Sequence, residues 1–400
     1  MRGRLTLVAV LTAALALPLA ATATGVTLGT RLTQSLRAPQ LSLGHTAAMA
    51  VDLASGMPIY SHNATTPVVP ASNEKLPVAW TALVQLGPGF RFHTDVLGVG
   101  TRTGSTWNGD IVLKGYGDPT LSTPDIDALA RVVRGRGIRT IAGRIRGDES
   151  FFDDVRGAPG WKHGWVGMES PPLSALVVDR ADGWPALSPP LLAARALREA
   201  LERRGVTVVG RPGLGRAPAS AVALATDWSP SLAELAVWMN RHSDNFVAEM
   251  VLKALGASEG RVGTTAGGAR VVLRTMREAG IPVDGVRIVD GSGLSSRDRL
   301  TAAAIVGVLR AGHADARIRR AFVESLAEAG RNGTMRYRLP ALRWKVRGKT
   351  GTTNLACTLS GLVGSQIAFA VLQNGRPVAT WAARAAQDRF VTLLARSAGG

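Results

Sequence analysis

Two parts of this chain that lie far apart in sequence read as pieces of one domain, and that split constrains the fold more than any other feature. Near the N-terminus, residues 46–60 have the pattern of a hairpin: Ala48-Met49-Ala50-Val51, a turn at Ser55-Gly56, then Met57-Pro58-Ile59-Tyr60. A polar loop ends at Pro70, and residues 72–86 are predicted helical, closed by Gly87-Pro88-Gly89. Near the C-terminus, β-like runs over 358–363 and 366–372 precede a helix over 382–396, where Ala385, Ala386, Val391, Leu393 and Leu394 share a face. Between about Phe90 and Ala225 the texture changes. Short β-type runs such as 94–97 and 110–113 are separated by Gly, Pro and Asp, with helical segments at 126–136 and 191–204. After Ser231, apolar spacing near three and four predicts helices over 232–239, 246–255 and 265–278. The expected organisation is a discontinuous domain, 24–90 and 226–400, interrupted by an inserted α+β unit, 91–225.

The first residues do not belong to that fold. A basic stretch from Met1 to Arg4, an apolar run over 5–20 and the small-x-small pattern Ala21-Thr22-Ala23 predict a secretory signal over 1–23. The apolar run is short for a membrane span, so an uncleaved anchor is the weaker alternative, and either way the body of the chain is expected outside the cytoplasm. A single cysteine, Cys357, cannot form an intrachain disulfide, which leaves the core to supply stability. One cysteine and six scattered histidines argue against a metal site, and nothing calls for a cofactor. The net charge of +18 falls to about +16 without Arg2 and Arg4. In an exported protein such a charge suits anionic wall polymers or a membrane surface rather than nucleic acid, although a generally basic solvated surface explains it equally well.

The chemistry is carried by three short motifs. In Ser72-Asn73-Glu74-Lys75 the serine and lysine stand three apart, on one helix face, so a desolvated amine can take the proton that makes serine a nucleophile. Ser243-Asp244-Asn245 lies between two predicted helices. Its hydroxyl can relay a proton and its amide can both donate and accept, while a simple helix cap is the competing reading. Lys349-Thr350-Gly351-Thr352 offers a cation and two hydroxyls for a carboxylate, with a glycine that lets substrate approach the strand edge. Each motif alone is weak. Together, in the order S-x-x-K, S-D-N, K-T-G, they match the set of penicillin-binding proteins and class A β-lactamases. Only six of the 47 basic residues are lysine, yet two of the six fall where that set requires them.

Around these motifs the chain resembles the D-alanyl-D-alanine carboxypeptidase/endopeptidases of the low-molecular-mass class C penicillin-binding proteins, the S13 serine peptidases. The resemblance rests on Pro70-Ala71-Ser72, Gly115-Tyr116-Gly117-Asp118-Pro119-Thr120-Leu121, Asp290-Gly291-Ser292-Gly293-Leu294-Ser295 and Arg347-Gly348-Lys349-Thr350-Gly351-Thr352, and runs from about His45 to Phe390. It implies an α+β fold: a transpeptidase-like domain, an antiparallel sheet flanked by helices, interrupted by an inserted α+β domain. The 171 positions between Ser72 and Ser243 far exceed the spacing in a compact β-lactamase, and the insert of about 135 residues has room for one full domain and a reduced second.

The resemblance also implies a mechanism. Lys75 activates Ser72, which attacks the penultimate D-alanine of a peptidoglycan stem peptide, and backbone N–H groups of Ser72 and Thr352 hold the oxyanion. Ser243 delivers the proton to the departing D-alanine, Asn245 grips lysine and peptide, and Lys349, Thr350 and Thr352 hold the carboxylate beside Gly351. Penicillin enters as a mimic and stays on Ser72. Ser292 and Arg297 of the Gly-rich loop are expected on the substrate side. A serine β-lactamase is the rival enzyme, but its class A deacylation motif E-x-x-L-N needs a Leu-Asn pair that the chain lacks. A non-catalytic wall-binding protein would not need the nucleophile and base. Two decoys are set aside: Gly256-Ala257-Ser258-Glu259-Gly260 fits G-x-S-x-G but follows a helix rather than a strand, and His242 next to Ser243 gives no triad by adjacency alone.

Overall fold

The two ends of the chain meet in one sheet. In the computed structural model, which describes residues 27–181 and 188–398, strand Thr46–Asp52 runs antiparallel to Ile367–Asn374, with Ala50 opposite Phe369. The six strands lie in the order Ala327–Glu328, Val346–Thr352, Ala356–Val363, Ile367–Asn374, Thr46–Asp52 and Pro58–His62, antiparallel at every step. The expected signal segment, 1–23, lies outside the described residues.

Side chains alternate across a strand, so each central strand supplies two cores. Ala368, Ala370 and Leu372 pack beneath a helical layer with Leu76, Leu83, Val247 and Leu309. Ile367, Phe369 and Val371 face the other way, onto Phe390, Val391 and Leu394 of the C-terminal helix Thr380–Ser397. All eight residues of Ala356–Val363 are buried, which is why that run shows no polar alternation. The helical layer holds Lys75–Gln85, Leu232–Arg241, Asn245–Ala257, Thr265–Glu278, Ala302–Ala314 and Arg319–Ser325.

The observed helices include Thr265–Glu278 at its expected bounds and Asn245–Ala257 around the expected 246–255. Ala302–Ala314 was not expected. It buries Ala302, Ala304, Ile305, Val306, Val308 and Leu309, and a helix apolar on most sides has no stripe for periodicity to detect.

A second sheet, of seven strands, is built from the middle of the chain. His93–Thr103 and Thr106–Gly115 form a long hairpin, with Val222–Trp228 antiparallel to the first of them. Thr140–Ile141 and Ile145–Asp148 pair parallel to the second, so the sheet is mixed. Helices Thr123–Gly135 and Pro189–Arg203 cover it and share a core of their own, in which Ile126, Leu129, Val133 and Leu197 meet Val96, Ile111 and Leu113. The run 149–181 bridges the two units: its Leu176 and Val178 stay in this core. Its Phe152, Leu173, Ala175 and Val177 enter the core under the helices, and its Asp153 pairs with the buried Lys253.

Phe390 joins the two chain ends. It is fully buried and meets Tyr60 of the N-terminal hairpin edge-on, with ring centroids 5.4 Å apart. Phe390→Ala is expected to cost about 3–5 kcal/mol of stability, measured as a fall in the denaturant midpoint with an unchanged slope.

Candidate active site

The turn that carries Ser72 is not the first turn of an α-helix, as periodicity predicts. Ala71–Glu74 is a 3-10 turn that hands over to the α-helix at Lys75, and Ala71 has φ 47°. In a 3-10 turn, side chains three apart eclipse one another, which suits the S-x-x-K spacing. The Lys75 ammonium accordingly donates to Ser72 Oγ at 3.0 Å. Asn73, inside the same motif, ties the turn to the sheet: its amide donates to Thr358 Oγ1 at 2.6 Å and to the Lys349 carbonyl at 3.2 Å.

Lys75 makes two further contacts, to Asn245 Oδ1 at 2.8 Å and to the Ser292 carbonyl at 2.6 Å. Asn245 opens its helix just after Asp244, whose carboxylate caps the helix by accepting the Val247 N–H at 3.0 Å. Asp244 thus serves as the cap, while Asn245 contacts Lys75. Ser243, at φ 59°, accepts a hydrogen bond from Lys349 Nζ at 2.8 Å. The expected residues thus form two contacting groups, Ser72–Lys75–Asn245 and Ser243–Lys349.

Both lysines are fully buried. Burial is the main cause that pulls Lys75 down from 10.5 to about 8, against the nearby carboxyls of Asp290, Glu249, Asp244 and Glu74. Lys349 is held well below the usual lysine range, by burial first and then by the positive charge of Lys75.

Gly351 is needed by the protein as well as by any substrate. A Cβ there would sit 2.3 Å from Thr358 Oγ1 and 2.9 Å from the Ser72 nitrogen. Beyond it Thr350 is half-buried and Thr352 exposed. Ala327–Glu328 pairs only with Arg347 and Gly348, so among the described strands nothing pairs with the outer edge of 349–352. An extended peptide can add there.

Several contributing residues escaped the sequence reading. From the run 149–181 come Trp161, whose indole donates to Asp290 at 2.9 Å, and Glu169, whose carbonyl accepts from Asn245 Nδ2 at 2.9 Å. Arg180 from the same run pairs with Asp244 at 2.8 Å. No local pattern marks these three. Glu249 was legible in principle, since it stands four residues after Asn245 on the same helix face. The Gly-rich loop needs a correction. Ser292 does not face substrate; its side chain is fully buried and its Oγ donates to Asp290 at 3.3 Å, so its contribution is the carbonyl that meets Lys75. Arg297 is exposed beside Gly160. The decoys stay decoys: Ser258 donates to the Leu255 carbonyl at 2.7 Å at a helix end, and His242 is the C-cap of Leu232–Arg241.

The sequence matches the D-Ala-D-Ala carboxypeptidase 3 (S13) family over residues 28–189 and 185–397. The chain belongs to this family. Among S13-like relatives, it is 30% identical to the D-alanyl-D-alanine carboxypeptidase of Actinomadura sp. (strain R39), over 91% of this chain and 84% of that protein. It is 31% identical to the carboxypeptidase DacB of Mycolicibacterium smegmatis, over 93% and 84% respectively. The crystal structure of penicillin-binding protein 4 (dacB) from Haemophilus influenzae superposes with a TM-score of 0.80 at 21% identity, covering 91% of this chain and 98% of that one. The S13 member described here thus shares the penicillin-recognising fold, an antiparallel sheet flanked by helices and interrupted by an inserted α+β domain.

Two outcomes follow. If neutral Lys75 is the base, the rate of acylation by penicillin rises with pH and levels off above about 8. Below that value the ammonium dominates and the rate falls about tenfold per unit, so stopped-flow labelling from pH 6 to 10 places the limb, and a limb near 10.5 would show that burial does not tune this lysine. Gly351→Ala drives a methyl group into the Ser72 turn and is expected to slow acylation about 100-fold, read by the same labelling assay.

Proposed function

We propose that this S13 protein is a serine D,D-carboxypeptidase that removes the terminal D-alanine of peptidoglycan stem peptides through an acyl-enzyme on Ser72. The observation that carries the reading is the buried amine of Lys75 set 3.0 Å from Ser72 Oγ, with a proton affinity brought near neutral pH. Lys75 takes the Ser72 proton, and Ser72 attacks the carbonyl of the penultimate D-alanine. The bond from Ser72 Oγ to that carbon forms, and the oxyanion is held by the backbone N–H groups of Ser72 and Thr352. The C–N bond then breaks, with the proton passing to the leaving D-alanine through Ser243, which is bonded to Lys349. The carboxylate of that D-alanine rests with Lys349, Thr350 and Thr352, next to Gly351, while Asn245 holds the peptide. Water completes the cycle. An amine from a cross-linked peptide can leave by the same route, which makes D,D-endopeptidase action a second outcome of one chemistry.

In this reading 24–90 and 226–400 form the catalytic domain and 91–225 the accessory insert, with 1–23 as an export signal. The protein then works outside the cytoplasm, where its basic surface meets anionic wall polymers or the membrane surface. Among the described residues no helix is long and apolar enough to cross a membrane. The β-lactam is the second ligand of the site, as a stem-peptide mimic. The same Haemophilus protein has been crystallised with a β-lactam, which supports that assignment.

Fluorescent penicillin is expected to label the wild type covalently and to leave Ser72→Ala unlabelled. No label on the wild type, or equal label on both, sinks the proposal. Release of free D-alanine from a stem peptide, with slow turnover of a chromogenic cephalosporin, separates a carboxypeptidase from a β-lactamase.

A further inference from the structure

Among the described residues Lys75 has three hydrogen-bond partners, and only one of these can exchange a proton with it. Asn245 Oδ1 and the Ser292 carbonyl are acceptors alone, whereas Ser72 Oγ can donate or accept. An amine that has lost its extra proton keeps two N–H groups and one lone pair. With both N–H groups engaged by the two carbonyl oxygens, the lone pair is left facing Ser72. The orientation of the base therefore depends on the Ser292 carbonyl as much as on Asn245.

That carbonyl stands on a loop, 290–298, with no helix or strand to hold it. What holds it is a set of buried carboxyls. Glu249, fully buried, accepts the N–H groups of Gly291 and Ser292 through the same Oε1, both at 2.9 Å. Asp290 accepts from the N–H groups of Gly293 and Ser295 at 2.7 and 2.8 Å, and Asp298 from that of Val289 at 2.7 Å. Glu249 lies one turn beyond Asn245. One helix face thus supplies one acceptor of Lys75 directly and steers the other through the loop backbone.

We propose that Glu249 is a positioning residue for the reaction: through the N–H groups of Gly291 and Ser292 it aims the Ser292 carbonyl at Lys75 and so keeps the Lys75 lone pair on Ser72. The inference rests on the reading of Ser72 as nucleophile and Lys75 as base. It also has an electrostatic side. The charged groups around Lys75 are Glu74 from its own turn, Glu249 and the cap Asp244 from the neighbouring helix, Asp290 from the loop with Asp298 behind it, and Lys349 from the strand. Asp244 is already paired with Arg180. Burial, reinforced by Asp290, pushes Glu249 up to about 8, so it ionises in the range where Lys75 releases its proton. Its negative charge, where it forms, favours the ammonium. Removing that charge must lower the pH at which Lys75 becomes neutral.

The test compares Glu249→Gln and Glu249→Ala with the wild type, measuring the second-order rate of labelling by fluorescent penicillin from pH 6 to 10, with thermal midpoints alongside. Glu249→Ala, which loses the acceptor, is expected to slow labelling roughly 100-fold, the scale of a misplaced catalytic group. Glu249→Gln keeps an oxygen for both N–H groups and is expected to recover at least roughly tenfold of that loss, with its rising limb moved to lower pH. Equal rates for the two variants, or a limb for Glu249→Gln that coincides with the wild type, overturns the inference. If Glu249→Ala does not fold, the limb of Glu249→Gln decides alone. Failure of the wild type to label, or labelling of Ser72→Ala, overturns the nucleophile reading instead and is distinct from both results.

Discussion

The candidate site depends on one close contact, the seating of the Ser72 turn between the strand Val346–Thr352 and the loop 290–298, both far from it in sequence. On the strand side Gly351 leaves room for the Ser72 backbone, and on the loop side Gly293 leaves room for the Ala71 carbonyl, which an added Cβ would approach to 1.9 Å. Asn73 locks the strand side with its bonds to Thr358 and the Lys349 carbonyl. Held on two sides, Ser72 keeps its contact with Lys75, and at a site where groups react small misplacements are costly. The strand is backed by an open six-stranded sheet, in which the pairing of Thr46–Asp52 with Ile367–Asn374 joins the two ends of the chain.

Burial is what turns this geometry into chemistry. Two lysines with no exposed surface lose hydration that only hydrogen bonds and neighbouring charges can replace, and part of the penalty appears as lowered proton affinity. The opposite shift occurs a few ångströms away. Burial, and after it repulsion by Asp290, raise Glu74 and Asp298 well above the usual carboxyl range, and neither oxygen of Glu74 has a hydrogen-bond partner among the described residues. A buried lysine pushed down beside buried acids pushed up is a pattern that marks candidate proton-transfer sites. The run 149–181 contributes to that enclosure, bringing Trp161, Glu169 and Arg180 against Asp290, Asn245 and Asp244.

Much of this was legible in the residues. Thr265–Glu278 follows from its apolar spacing, the hairpin at 46–60 from its turn residues, and the discontinuity of the main sheet from the matching textures at the two ends. Ala302–Ala314 was not, because a helix buried on most sides carries no amphipathic signal. At the site, the residues of all three motifs were visible, but the local form of the first was not. Periodicity reads a run as one kind of helix, while the 3-10 turn at Ala71–Glu74 is imposed by its neighbours. Ser292 was misjudged for a related reason. A Gly-rich loop announces itself in sequence, yet which of its atoms faces the cleft depends on the carboxyls packed behind it, and here the carbonyl faces Lys75 while the hydroxyl turns to Asp290.

What the sequence determined by itself was the identity and order of the candidate site residues: Ser72 three residues before Lys75, then Ser243 and Asn245, then Lys349. These choices are local, because three-residue spacing on a turn and alternation along a strand are set by backbone geometry within a few residues. What only the tertiary structure decided was how those groups are tuned. The 2.6 Å bond to the Ser292 carbonyl, the Glu249 carboxyl behind it and the Glu169 carbonyl on Asn245 join segments separated by tens to hundreds of residues. The reason is physical. A buried polar group must take whichever partner packing places beside it, and packing is settled by the whole core rather than by neighbours in the chain.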